Sequence, residues 1–362
     1  MDALPRSLGV DRRQARRVLT IMLFLSMMLV VPLCAAPELS GELVFTIPWG
    51  DKWGTLKFIS EAELSEAMYT GPSAMAVTPT GQVYIYDEWT RRLQRFNAQG
   101  ALMGGAQFDR KVPGITFIAL GRQRPDGSQP IVLVSDNNRY IGRLSQLPEK
   151  PGPASPSRLL AASIAPGTMI YRVGVLNFAS LFVEEGGMSE ALSYIRQFDG
   201  DSYRQRYEAV DLVPWGPWYY ALANDRTATK LYQPAEGQLT VLQIDGGEGG
   251  VTKEITIAAP PLEDKRLRWH LIGAGGGRGA EQVFFLAKHW PVWADDEIYA
   301  VFGDSILGYA KVAVPGVEEK DRYLEQWIHF ACVADNGNLY LGIPSKKGFA
   351  VVRYKAPTIP LN

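Results

Sequence analysis

Between residues 71 and 100 the chain spells out one supersecondary unit almost in full. Gly71-Pro72-Ser73-Ala74-Met75-Ala76-Val77 is followed by Thr78-Pro79-Thr80-Gly81, then Val83-Tyr84-Ile85-Tyr86-Asp87, Arg92-Leu93-Gln94-Arg95-Phe96 and Asn97-Ala98-Gln99-Gly100. The order is strand, turn, strand, turn, strand, turn. Gly81 and Gly100 supply the positive φ that tight hairpin turns demand, and the alternating residues between them bury one face of each strand. Asp87, at a strand end, is placed to accept hydrogen bonds from the backbone amides of the following turn. A meander of this kind cannot bury both faces alone, so it requires neighbours.

Similar units recur. Long helical periodicity is scarce after the first 36 residues, and short β-rich runs bounded by Gly, Pro, Asn and Asp continue to the end, which selects an all-β sandwich, barrel or propeller. With the middle strand of the first unit as a ruler, comparable runs begin at Val83, Ile131, Ser180, Trp218, Val283 and Leu339. Their offsets of 48, 49, 38, 65 and 56 residues approach the ~40 to 50 residues of propeller repeats. Six middle strands imply a six-bladed β-propeller. Counting Leu239–Ile244 or Ile306–Val312 as middle strands would give other blade numbers. Leu43-Val44-Phe45-Thr46-Ile47 precedes the first unit and is expected to close the ring as the outer strand of the last blade, beside Phe349–Tyr354. The proline-rich stretch Pro148–Ser157 reads as a loop between blades.

The unit at 71–100 resembles the blade of NHL-repeat propellers: Gly-Pro, an apolar strand, a Gly turn, an apolar strand ending in Asp, then Arg with an apolar pair and a final Gly. The last unit keeps Asp335-Asn336-Gly337-Asn338-Leu339-Tyr340-Leu341, with Ile343 where the strand-ending Asp would stand. The resemblance implies a propeller that binds partners through loops at one face.

The first 36 residues stand apart. Arg6, Arg12, Arg13, Arg16 and Arg17 precede an uncharged, largely apolar run from Val18 to Leu33, and Ala35 and Ala36 follow. That order is the one found in a secretory signal, so the domain plan is 1–36 signal peptide or N-terminal membrane anchor and 37–362 β-propeller. Cleavage at the alanines, retention as an anchor and lipidation at Cys34 all stay open. The expected location is extracytoplasmic, periplasmic or secreted, with any membrane contact made through this segment. The whole chain carries a formal charge of −1, and the segment accounts for five Arg against Asp2 and Asp11, or +3, so the remainder carries −4. A mildly acidic chain lacks the basic footprint that nucleic acid requires. Beyond Cys34 the only thiol is Cys332, set in the apolar run Phe330–Val333; it is expected to be buried and inert.

No HExxH, CxxC or Gly-x-Ser-x-Gly motif is present, and His270, His289 and His329 are far apart in sequence. No catalytic set, metal site or cofactor is therefore expected. The glycine run Gly273–Gly279 lacks the Lys-Ser/Thr of a phosphate loop and reads as a flexible loop. Asp87, Asp136, Asn224 and Asp225 all follow strands on the ruler above. Their convergence at one end of the channel would support a calcium-dependent lactonase or hydrolase, although turn capping is the commoner role of such residues. Trp215-Gly216-Pro217-Trp218 and Trp290-Pro291-Val292-Trp293 pair indoles beside prolines. These four tryptophans are the candidate ligand-binding residues, either stacking on sugars or peptide side chains at a rim or packing between blades. The reading is a non-enzymatic binding or scaffolding module for a protein, peptide or glycan; the alternative is the hydrolase.

Overall fold

The computed structural model describes residues 38–58, 71–121, 125, 128–135, 140–159, 168–175, 180–187, 193–199, 202–208, 220–222, 227–235, 238–245, 251–258, 262, 268–276, 282–289, 297–302, 309–313, 330–334 and 336–355. The expectations for residues 1–36 lie outside them.

Within the unit Glu38–Asn362 the described strands form six sheets. The chain enters through two short pieces, β1 (Glu38–Leu39) and β2 (Glu42–Ile47), each of which joins a sheet formed much later. The first sheet is β3 (Pro72–Val77), β4 (Val83–Asp87), β5 (Arg92–Phe96) and β6 (Leu102–Gln107). The second holds β7 (Phe117–Leu120), β8 (Ile131–Ser135) and β9 (Tyr140–Leu144), and then β11 (Ser157–Leu159) after the short β10 (Gly152–Pro153). The third is β12 (Thr168–Val175), β13 (Ser180–Gly187), β14 (Ser193–Asp199) and β15 (Ser202–Glu208); the fourth is β16 (Tyr220–Leu222), β17 (Thr227–Ala235), β18 (Gln238–Asp245) and β19 (Val251–Ala258). The fifth is β20 (Arg268–Gly276), β21 (Gln282–His289), β22 (Glu297–Phe302) and β23 (Tyr309–Val312). The last is β24 (Ala331–Val333), β25 (Leu339–Ser345) and β26 (Gly348–Tyr354), completed by β2.

The first strands of successive sheets adjoin one another, β3 to β7, β12, β16, β20 and β24, and β24 returns to β3. A closed circuit of inner strands carrying antiparallel meanders is a β-propeller. Closure follows the expected route: β2 pairs antiparallel with β26, with Ile47 opposite Phe349 and Glu42 opposite Arg353. The stretch 148–157 does more than connect, because β10 lies parallel on the edge of β6 before the chain returns to its own sheet as β11. β1 does the same on β23. Both straps cover sheet edges that would otherwise offer unpaired backbone groups.

Three expectations need correction. The run at Trp218 marks the first strand of its sheet, β16, whereas the second strand, which the ruler follows elsewhere, is β17 from Thr227. The offsets 38 and 65 then become 47 and 56. Leu239–Ile244 lies within β18, and the end of Ile306–Val312 forms β23, so neither starts a sheet. Gly273–Gly276, part of the supposed flexible loop, belongs to β20. Finally, the second strands of the first, second and last sheets bury both faces: every residue of Val83–Asp87, Ile131–Ser135 and Leu339–Ser345 is buried. Val83 and Ile85 join the cluster with Phe349 and Val351 of the last sheet, while Tyr84 and Tyr86 join Ile131 and Leu133 of the second. Each such apolar side chain contributes ~1.5 to 3 kcal/mol on full burial, so these wedges between sheets hold the ring together.

Candidate functional site

Strands alternate in direction within each sheet. Connections from second to third strand, and from one sheet to the first strand of the next, therefore emerge where the inner strands begin; we term this the entry end. The other connections emerge at the opposite end. Contacts agree with this assignment. Ser73 at the start of β3 donates to the Ile115 carbonyl just before β7 at 2.6 Å, and the two first-to-second turns of the first and last sheets meet through Asn336 Nδ2 and the Pro79 carbonyl at 2.7 Å.

The best-defined part of the entry end is built around Asp87. This residue is fully buried. Its Oδ1 accepts from the Thr90 amide at 3.2 Å, as expected of a turn cap, and its Oδ2 accepts from the Lys57 amide at 2.7 Å. The second bond was not legible in the sequence, because Lys57 lies 30 residues away. Burial raises the Asp87 carboxyl above its ordinary value, opposed by these hydrogen bonds. Buried Gln94 extends the same clamp: its Oε1 accepts from the Gly54 amide at 2.8 Å and its Nε2 donates to the Thr55 carbonyl at 2.7 Å. Arg92 donates to the Asp51 carbonyl at 2.6 Å and lies 4.8 Å over the Trp53 ring. Residues 51–57, which follow β2, are thereby fastened to the first sheet. Trp49, just before them, is tied to the last sheet, donating to the Ser345 carbonyl at 2.7 Å.

Trp215, Trp218, Trp290 and Trp293 lie outside the described residues. The strand ends that bracket them are described. Trp215 and Trp218 fall between β15 and β16, a sheet-to-sheet connection, and Trp290 and Trp293 fall between β21 and β22, a second-to-third connection. Both connections depart from the entry end. Sequence reasoning missed Trp89, which belongs to that end as well: it lies in the β4–β5 turn and is 52% exposed. The signal was available, since an aromatic residue two positions after a strand-ending, capping Asp sits in a turn rather than on a strand.

Of the carboxylate and amide candidates only Asp87 is among the described residues. Asp136, Asn224 and Asp225 lie outside the described residues. Asn224 and Asp225 fall between β16 and β17, a first-to-second connection, and so depart from the end opposite the β4–β5 turn of Asp87. They were grouped with Asp87 because the ruler took β16 for a second strand. Among the described residues no three His, Cys, Asp or Glu cluster in a metal-binding arrangement. The two described histidines are closer than their spacing implies: the register sets His289 opposite Arg268 and His270 opposite Ala287, two rungs away. Cys332 on β24 keeps some surface, and burial pushes its thiol up to about 12. The reactive thiolate is then scarce at neutral pH.

No protein-family model matches the chain, and no curated protein matches it. Solved structures do. The calcium-binding protein regucalcin from Agrobacterium tumefaciens is similar over 90% of this chain and 98% of its own, at 12% identity and a TM-score of 0.45. Virginiamycin B lyase from Staphylococcus aureus is similar over 83% of this chain and 99% of its own, at 12% identity and a TM-score of 0.46. The Dos1 propeller is similar over 79% of this chain and 78% of its own, at 11% identity and a TM-score of 0.42.

Proposed function

We propose that the chain is an exported, NHL-type propeller acting as a non-enzymatic binding or scaffolding module, with the entry end facing its protein, peptide or glycan ligand. The observation that carries this reading is topological: the connections containing Trp215 and Trp218 and those containing Trp290 and Trp293 depart from the same end of the ring. Sequence alone gave no reason for the connections holding two pairs 75 residues apart to leave from one end. Loops held at one end of a rigid scaffold are where binding residues concentrate. A hydrolase using the channel has less support, because the connection that contains Asn224 and Asp225 leaves from the end opposite the Asp87 turn, and of the candidates beyond Asp87 only Asp136 falls in a connection that leaves from the same end. The six inner strands, moreover, contain no Asp, Glu, Asn or Gln, whereas calcium takes ~6 to 8 oxygen ligands.

Single alanine substitutions at the four tryptophans test the reading. Rim residues should lose ligand capture while the melting temperature changes little, since an exposed ring has few contacts to lose. Residues packed between blades should each cost ~3 to 5 kcal/mol, and that result for all four would remove the rim.

A further inference from the structure

The tryptophans with described side chains divide sharply. Trp269 is buried against Tyr299, with ring centroids 5.5 Å apart. Trp49 stacks on Phe58 at 4.9 Å, and Trp53 lies under Arg92. Trp89 alone of these four is mostly exposed, and its ring makes no aromatic contact among the described residues.

The turn that carries Trp89 is nevertheless fixed from every side. The Glu88 amide donates to the Gly71 carbonyl at 3.2 Å, the Arg91 amide to the Glu88 carbonyl at 3.3 Å, and the Phe108 amide to the Arg91 carbonyl at 2.9 Å. Gln107 Nε2 donates to the Thr90 carbonyl at 2.6 Å, and buried Asp87 accepts from the Thr90 amide. Arg91 has a φ of 53°, the one positive value at a non-glycine among the described residues. Its guanidinium reaches into the next sheet-to-sheet connection, donating to the Asp109 and Val112 carbonyls at 3.0 and 2.7 Å. A strained backbone held by this many bonds, displaying a large ring to solvent, is a preorganised contact rather than an unfinished core.

The surroundings define what the ring would meet. Exposed Glu88, Asp109, Arg110 and Lys111 lie on this turn and on the connection that Arg91 grips. Protein-binding cores are depleted in charged residues, so an isolated indole among mixed charges suits a ligand with one apolar face and many hydroxyls. Resting on the reading of the entry end as the ligand-facing surface, the geometry points to Trp89 as a stacking platform for a saccharide ring, with the neighbouring charged side chains as hydroxyl partners.

The experiment is binding of the purified full-length chain to immobilised cello-, malto-, xylo- and chito-oligosaccharides, with Trp89→Ala and Trp89→Phe alongside. At least one sugar should bind. Trp89→Ala should weaken it about tenfold or more, the scale of one lost stacking contact, while Trp89→Phe keeps most of the affinity and both variants melt with wild type. Wild type that binds no sugar, or binds only peptides, overturns the inference. Sugar binding unchanged in Trp89→Ala also overturns it; if the alanine variants of Trp215, Trp218, Trp290 or Trp293 then lose the sugar, the entry-end reading survives without Trp89.

Discussion

Val83–Asp87 in the first sheet and Leu339–Ile343 in the last occupy the same place in the repeat, and the two begin alike. Gly81 and Gly337 have φ of 80° and 81°. In both turns the glycine amide donates to the carbonyl three residues earlier, Thr78 or Ala334. Tyr84 and Tyr340 are the buried second residues of their strands. The strands diverge at their ends. Asp87 stops its strand, turns the chain into the Trp89 display and accepts the Lys57 amide. Ile343 instead packs into the cluster with Val283, Phe285 and Leu341, and β25 runs on to Ser345. One residue before these ends, Tyr86 stacks on Phe108 at 5.9 Å, whereas an added Cβ on Gly342 would come within 2.3 Å of the Phe349 ring. The same repeat thus makes a polar, loop-holding end where the ring meets the entry segment and an apolar, strand-extending end one blade earlier.

The largest effect should come from exchanging the two ends. Ile343→Asp places a charge among apolar neighbours with no partner, and about 3 to 5 kcal/mol of destabilisation is expected, as for other uncompensated buried charges. Denaturant titration measures it. A cost below about 1 kcal/mol would show that the two strand ends are interchangeable and the comparison empty.

Asp87→Ala should come next. It leaves the Lys57 and Thr90 amides without their acceptor, at about 1 to 3 kcal/mol for each buried donor left unmade. Loss of the Lys57 bond should also raise hydrogen exchange in residues 51–57, which a local turn cap would not do. The pH dependence sharpens the point. A carboxyl held above its ordinary 3.8 by burial binds its proton more tightly in the folded chain. Its stabilising contribution is therefore full below that value and is lost as pH rises through the folded value. The stability of wild type relative to Asp87→Asn should fall across that window and level off above it. A rise would mean that the accepted hydrogen bonds outweigh burial.

The smallest effect is expected on the inner strand. Cys332 stands opposite Tyr340 as Ala76 stands opposite Tyr84, so Cys332→Ala imports the residue the first sheet already uses. About 1 kcal/mol or less should be lost, the scale of one buried methylene. In a Cys34→Ala background, native wild type should resist alkylation at neutral pH and react once unfolded. Rapid modification of the native chain would contradict the burial that holds its thiol high.

By itself the sequence determined the strand-rich class, the turn glycines of the first blade and the cap at Asp87, because each depends on local backbone preference or alternation within a few residues, and the repeat left β2 as the spare strand to close on β26. It also marked the paired tryptophans without saying from which end of the ring the connections that contain them leave. Tertiary structure alone decided that the fourth run of the ruler, at Trp218, leads into the first strand β16 and not the second strand β17, since inner and second strands have similar apolar composition and only pairing separates them. Tertiary structure likewise decided that Asp87 and Gln94 hold residues 54–57, and that Trp89 stays exposed while Trp269 is buried. Those outcomes rest on contacts between segments tens of residues apart, which local propensity does not encode.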